Sequence, residues 1–189
     1  MNIRAQPIFG DRVTRLFSVA DVRAMFDNGI LDPDERVELI EGVLVKMAAK
    51  NRSHELIKNW LIRQAILCAG DDYWISVEGS FYLEDHTFIE PDILFQHPDT
   101  VITELKGPDA LLAVEVADTT LRYDLGRKAQ VYATYGVREL WVIDANRRET
   151  HVHLRPSIDG YGTVDVFDDA FEVRPRSVPD FTMRLKDAA

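Results

Sequence analysis

The run Leu111-Leu112-Ala113-Val114-Glu115-Val116 constrains this chain more than any other stretch. Apart from Glu115 it is wholly aliphatic, the pattern of a strand covered on both faces. An unpaired ionised carboxylate in a core is very costly, so such a group neutralises, finds a cation or marks a site. A helix carrying Lys128 follows, with Leu121, Leu125, Ala129, Tyr132 and Tyr135 on its apolar side and Gly136 as its left-handed stop. A second strand, Leu140-Trp141-Val142-Ile143, closes on Asp144. The order is strand, helix, strand, with an ionisable group where the first strand should be apolar.

Composition limits what this unit can belong to. With 189 residues, 46% hydrophobic and 29% charged, the chain has the make-up of an ordinary globular protein with a sizeable core. Its net charge of −10 argues against broad, sequence-independent coating of nucleic acid, which needs a basic surface. Positive charge is concentrated around the opening unit. Residues 115–148 hold six basic and five acidic side chains, so the rest of the chain carries −11. Cys68 is the sole cysteine, which excludes an intrachain disulfide and a cysteine-rich zinc site. No run approaches the roughly 18 apolar residues of a membrane span, and the N-terminus lacks a signal-peptide apolar region. A cytoplasmic protein is expected.

Residues 1–17 carry no strong pattern and read as an arm, with residues 18–189 expected to form one domain. Ser18 is placed to cap a short helix ending at Asn28-Gly29. Residues 36–47 read as a hairpin turning at Glu41-Gly42, where Glu41 by itself is an ordinary solvated turn residue. Ser53 is expected to cap a helix that runs to about Ala69 and stops at Gly70; His54, near its start, reads alone as a surface or cap residue. Residues 73–77, 80–83 and 88–95 read as three strands. Pro91 lies in the third and removes a ladder donor, so it belongs at an edge or bulge. Asp92 follows it among apolar neighbours, either as a site residue beside a bulge or as a buried Asp bonded to backbone amides. Residues 150–154 alternate as a further strand carrying His151 and His153, and 161–186 read as an irregular β tail.

Asp92 and Glu115 are far enough apart in sequence for two neighbouring strands. Carboxylates on adjacent strands suit a hard divalent cation, and Mg²⁺ needs only two or three of them because it keeps several waters. A nearby lysine suits a phosphate oxygen or an attacking water. Lys128 lies at the border of its helix's buried face; it either points inward or pairs on the surface with Asp124 four residues before it. Two acids and a lysine on a mixed scaffold are what metal-assisted phosphodiester hydrolysis requires.

The ordered set Glu38-Leu39-Ile40-Glu41-Gly42, His54, Pro91-Asp92-Ile93, Ala113-Val114-Glu115-Val116, Asp124, Lys128, Tyr132, Gly136-Val137, residues 139–144 and Pro179-Asp180-Phe181 resembles the PD-(D/E)xK nuclease superfamily. More narrowly, it resembles the Uma-two family of restriction-endonuclease-like proteins. The resemblance spans about residues 18–186. It implies an α/β (α+β) protein with a restriction-endonuclease-like core, a mixed central β-sheet flanked by helices. It further implies Glu41, Asp92 and Glu115 as metal ligands, Lys128, Asp92 and Glu115 as catalytic residues, Mg²⁺ as cofactor with Mn²⁺ as substitute, and DNA as substrate. Two positions depart from the pattern. The superfamily's simplest form puts lysine two residues after the second acid, where this chain has Ala117, so Lys128 is its replacement. Asp118 stands where the family usually has serine.

The expected activity is therefore that of a Mg²⁺-dependent endonuclease. The competing readings are a nuclease-like scaffold that only binds or regulates, which the acidic charge favours, and a hydrolase of small phosphoesters. A homodimer would suit cleavage of two strands.

Overall fold

The computed structural model describes residues 15–101 and 103–188. Most of the expected arm, residues 1–14, lies outside the described residues. The chain divides into two compact units, one formed by residues up to Met47 together with Tyr82–Ile89 and the other by Ala48–Phe81 with Glu90 onward.

In the first unit, α1 (Val19–Asp27) starts at Ser18, whose side chain accepts from the Asp21 backbone N–H while Asp21 returns a bond to the Ser18 backbone. This reciprocal cap satisfies two donors that the helix cannot use itself. A four-stranded sheet has the order β2-β1-β5-β4, from β1 (Val37–Ile40), β2 (Val43–Lys46), β4 (Phe81–Glu84) and β5 (Thr87–Ile89). The β1–β2 turn places both Glu41 and Gly42 at positive φ, 49° and 81°. Two-residue hairpins of this hand require that conformation at both central residues.

The second unit is built on a six-stranded sheet of order β10-β9-β8-β7-β6-β3. Its strands are β3 (Trp74–Val77), β6 (Ile93–Gln96), β7 (Ala110–Ala117), β8 (Glu139–Asp144), β9 (Glu149–Ser157) and β10 (Gly160–Phe167). Only β7 and β8 run parallel; the other pairs are antiparallel. The mixed sheet follows from the strand-helix-strand unit, because a parallel pair needs a helix to carry the chain back. That helix, α3, covers residues 121–134. It opens with one α turn (Leu121–Tyr123), passes through a π-helical stretch (Asp124–Lys128) and closes as α-helix (Ala129–Thr134). Gly136, at φ 82°, turns the chain toward β8.

The alternation of β7 and β8 sorts the core. Leu112, Val114, Val116, Trp141 and Ile143 join Ile93 and Phe95 in a cluster with Ile57, Leu61 and Ala65 of α2 (Arg52–Ala69). Val178, Phe181 and Met183 from the C-terminal tail complete it, and the Phe181 ring lies 5.1 Å from Phe95 and 5.8 Å from Trp141. Fully burying one such aromatic contributes about 2–3 kcal/mol.

Three sequence expectations are corrected. Asn51 caps α2, accepting from the His54 backbone N–H, in place of Ser53. The expected strand at 88–95 breaks at Glu90-Pro91-Asp92 into β5 and β6, which belong to different sheets; Pro91 has no N–H to continue a ladder. Residues 160–167 of the expected irregular tail form the regular strand β10, paired along its length with β9. No helix among the described residues is long and apolar enough to cross a membrane.

Candidate active site

The β6–β7 register pairs Ile93 with Val114, and the β3–β6 register pairs Val77 with Ile93. Continued by one residue, these ladders bring Glu78, Asp92 and Glu115 to one level across three strands. Glu115 takes the alternate position to Val114 and Val116, so it leaves the face shared with α2 and meets α3. There Lys128 Nζ lies 2.9 Å from Glu115 Oε1, and the Tyr132 hydroxyl donates to the same oxygen. Glu115, Lys128 and Tyr132 are all buried. The helical spacing of Lys128 and Tyr132 presents both to one strand residue. The π-helical stretch contains Lys128, and such local rewinding recurs at functional sites.

Asp92 is equally enclosed. Its Oδ2 accepts from the Val116 backbone N–H at 2.8 Å, which locks its orientation to β7. The same oxygen lies 3.3 Å from His54 Nε2, and Oδ1 lies 2.7 Å from Lys50 Nζ. Burial would raise the Asp92 pKa, but the His54 hydrogen bond and the Lys50 charge overcome it and hold the carboxyl well below its ordinary range. Both alternatives open for Asp92 are therefore present together: it is bonded to a backbone amide and it stands among cations.

A second row of charge lies beside it. Glu78 accepts from Lys50 and, at 2.8 Å, from Lys58. Its burial is outweighed by these two lysines, which pull its pKa down to about 2. Lys58 is raised: burial opposes its charge, but hydrogen bonds to Glu55 and Glu78 win. Glu78 holds φ 50°, a conformation side-chain-bearing residues seldom adopt, and its N–H donates to the Asp92 carbonyl at 3.3 Å. Strained backbone of this kind clusters at functional sites.

The structure thus places Asp92 beside His54 and Glu115 beside Lys128, at one level of adjacent strands. Glu41 stands at the β1–β2 turn of the other unit, its N–H donating to Thr87 Oγ1 at 3.1 Å. Asp118 turns back on its own loop, accepting from the Thr119 N–H. Lys50, Lys58, Glu78 and Tyr132 were not singled out as site residues from sequence. The i, i+4, i+8 spacing of Lys50, His54 and Lys58 around the start of α2 was the available signal.

Among the described residues no three or more His, Cys, Asp or Glu side chains form a ready metal cage. Two carboxylates at the end of one ladder nonetheless suit Mg²⁺, which takes hard oxygen donors and retains water. The donor chemistry suits a hard cation, which would compete with the positive groups that lie on both acids.

A mixed sheet with a strand-helix-strand centre is the architecture of a restriction-endonuclease-like fold. The Uma2 family model, described as "Putative restriction endonuclease", matches residues 23–186, and the chain belongs to that family. The fold is similar to a crystal structure from Anabaena variabilis ATCC 29413 described as a "putative nuclease belonging to DUF820". That similarity has a TM-score of 0.72 at 15% identity, covering 91% of this chain and 97% of the other. No curated protein matches the chain.

Proposed function

We propose that this protein is a Mg²⁺-dependent endonuclease that hydrolyses DNA phosphodiester bonds. The observation that carries the reading is the placement of Asp92 and Glu115 at one level of the β6–β7 ladder, with Lys128 on Glu115 at 2.9 Å. Asp92 and Glu115 would hold the cation. A bound Mg²⁺ lowers the pKa of a coordinated water and offsets charge on the phosphorane-like transition state. Lys128 supplies a point charge from a fixed helix, suited to orienting the attacking water or the scissile phosphate. Tyr132 fixes the Glu115 carboxylate, and His54 with the Val116 amide fixes Asp92, so both acids are held in place before substrate arrives.

The test is incubation of supercoiled and linear DNA with purified protein and Mg²⁺ or Mn²⁺. Wild type should cut, and Asp92→Asn and Lys128→Ala should not, while circular dichroism shows both variants folded. Cleavage that survives both substitutions would sink the assignment.

A further inference from the structure

We propose that Lys50 is a displaceable internal counter-ion of Asp92, holding the position on Oδ1 that a divalent cation takes and yielding it when the cation binds. The inference rests on the metal-dependent reading of this site and adds a residue that sets its metal affinity.

The two oxygens of Asp92 are not equivalent. Oδ2 is committed to the main chain through the Val116 N–H at 2.8 Å, with His54 Nε2 at 3.3 Å. Oδ1 is met by Lys50 Nζ at 2.7 Å. A cation binding Asp92 through Oδ1 therefore meets Lys50 first. The two lysines of the site are also held differently. Lys128 projects from within α3, and its side chain is 5% exposed. Lys50 stands in the connection between β2 and α2, and its side chain is 15% exposed on a long flexible stem.

A displaced Lys50 has a place to go. Glu78 already accepts from it and is tied to Asp92 by the Glu78 N–H···O=C bond at 3.3 Å. That bond keeps the Glu78 main chain beside Asp92. Lys58, 2.8 Å from the same Glu78 oxygen, helps hold that acceptor in place. Lys50 already pairs with both carboxylates, so on release from Asp92 it would keep its ion pair with Glu78. While it sits on Asp92 it neutralises a buried acid that would otherwise be very costly. Once released it is a mobile ammonium beside the site, suited to a phosphate oxygen.

The experiment has two arms. Isothermal titration of Mn²⁺ into Lys50→Met should give a dissociation constant about ten-fold lower than wild type, because one buried competing charge is gone. A lysine with a merely structural role would leave affinity unchanged or weakened, and either result overturns the proposal. The second arm uses wild-type protein and does not depend on the variant folding. Acetylation of Lys50 by an amine-reactive ester, followed by mass spectrometry, should accelerate several-fold when Mn²⁺ saturates the site; an unchanged rate overturns the proposal. Equal Mn²⁺ binding by wild type and Lys50→Met overturns the Lys50 role alone. No Mn²⁺ binding by either overturns the metal-dependent reading with it.

Discussion

Glu115 and Glu139 are both carboxylates set in aliphatic strands of one sheet, and the fold gives them different partners. Glu115 on β7 is buried against Lys128 and Tyr132. Across the sheet end, Asp92 is buried against Lys50 and His54 and held in its charged form. Glu139 on β8 falls on the other face, the one covered by the C-terminal tail. It accepts from Trp141 Nε1 at 2.7 Å and from the Arg176 backbone N–H at 2.8 Å. Burial raises its pKa, and these two donors together with the Arg176 charge do not offset it. Nearby His153 and Tyr161 show the same trend: burial lowers the histidine to about 4 and raises the tyrosine far above its ordinary value. A buried acid is therefore not in itself a site. The cations gathered around Asp92 and Glu115 distinguish that region from one that merely tolerates polar groups.

The contrast can be broken in several ways. Asp92→Asn should lower DNA cleavage by about 10²-fold or more, since it removes the proposed ligand and the charge that Lys50 opposes; single-turnover assays read this. Lys128→Ala should abolish cleavage and also destabilise the fold by about 3 kcal/mol in urea, because Glu115 loses its buried partner. His153 binds its proton more weakly folded than unfolded, so its contribution to stability is present above pH 6.5 and lost as pH falls toward 4. That contribution amounts to about 3 kcal/mol at most. Chemical denaturation at pH 7 and pH 4.5 should show the difference, and His153→Phe should flatten it. Glu139→Gln should have the smallest effect. An amide N–H would face a donor, costing about 1–2 kcal/mol of stability, while cleavage stays within about two-fold of wild type.

The residues that were legible in sequence are polar groups breaking an apolar pattern. Glu115 interrupts a strand, Asp92 follows a proline that ends one, and Lys128 borders a helix stripe. The caps and turns at Ser18, Glu41-Gly42, Gly70 and Gly136 were legible because their chemistry is local. Asn51 and Ser53 are both cap formers two residues apart, and only the fold decides between them. β10 was missed because its Val164 and Val166 are exposed on an edge strand and give weak patterning. Lys50 and Glu78 could not be read as site residues. Lys50 meets its carboxylates 28 and 42 residues away, and only the sheet register supplies that contact. Tyr132 was read as an apolar helix residue, since only its hydroxyl reaches Glu115.

The central claim is that cation-ringed acids, and not buried acids in general, form the nuclease centre. Plasmid cleavage with Mn²⁺ by wild type, Asp92→Asn and Glu139→Gln tests it in one gel. Wild type and Glu139→Gln are predicted to nick supercoiled DNA at similar rates while Asp92→Asn leaves it intact. Nicking by Asp92→Asn at the wild-type rate would contradict the account.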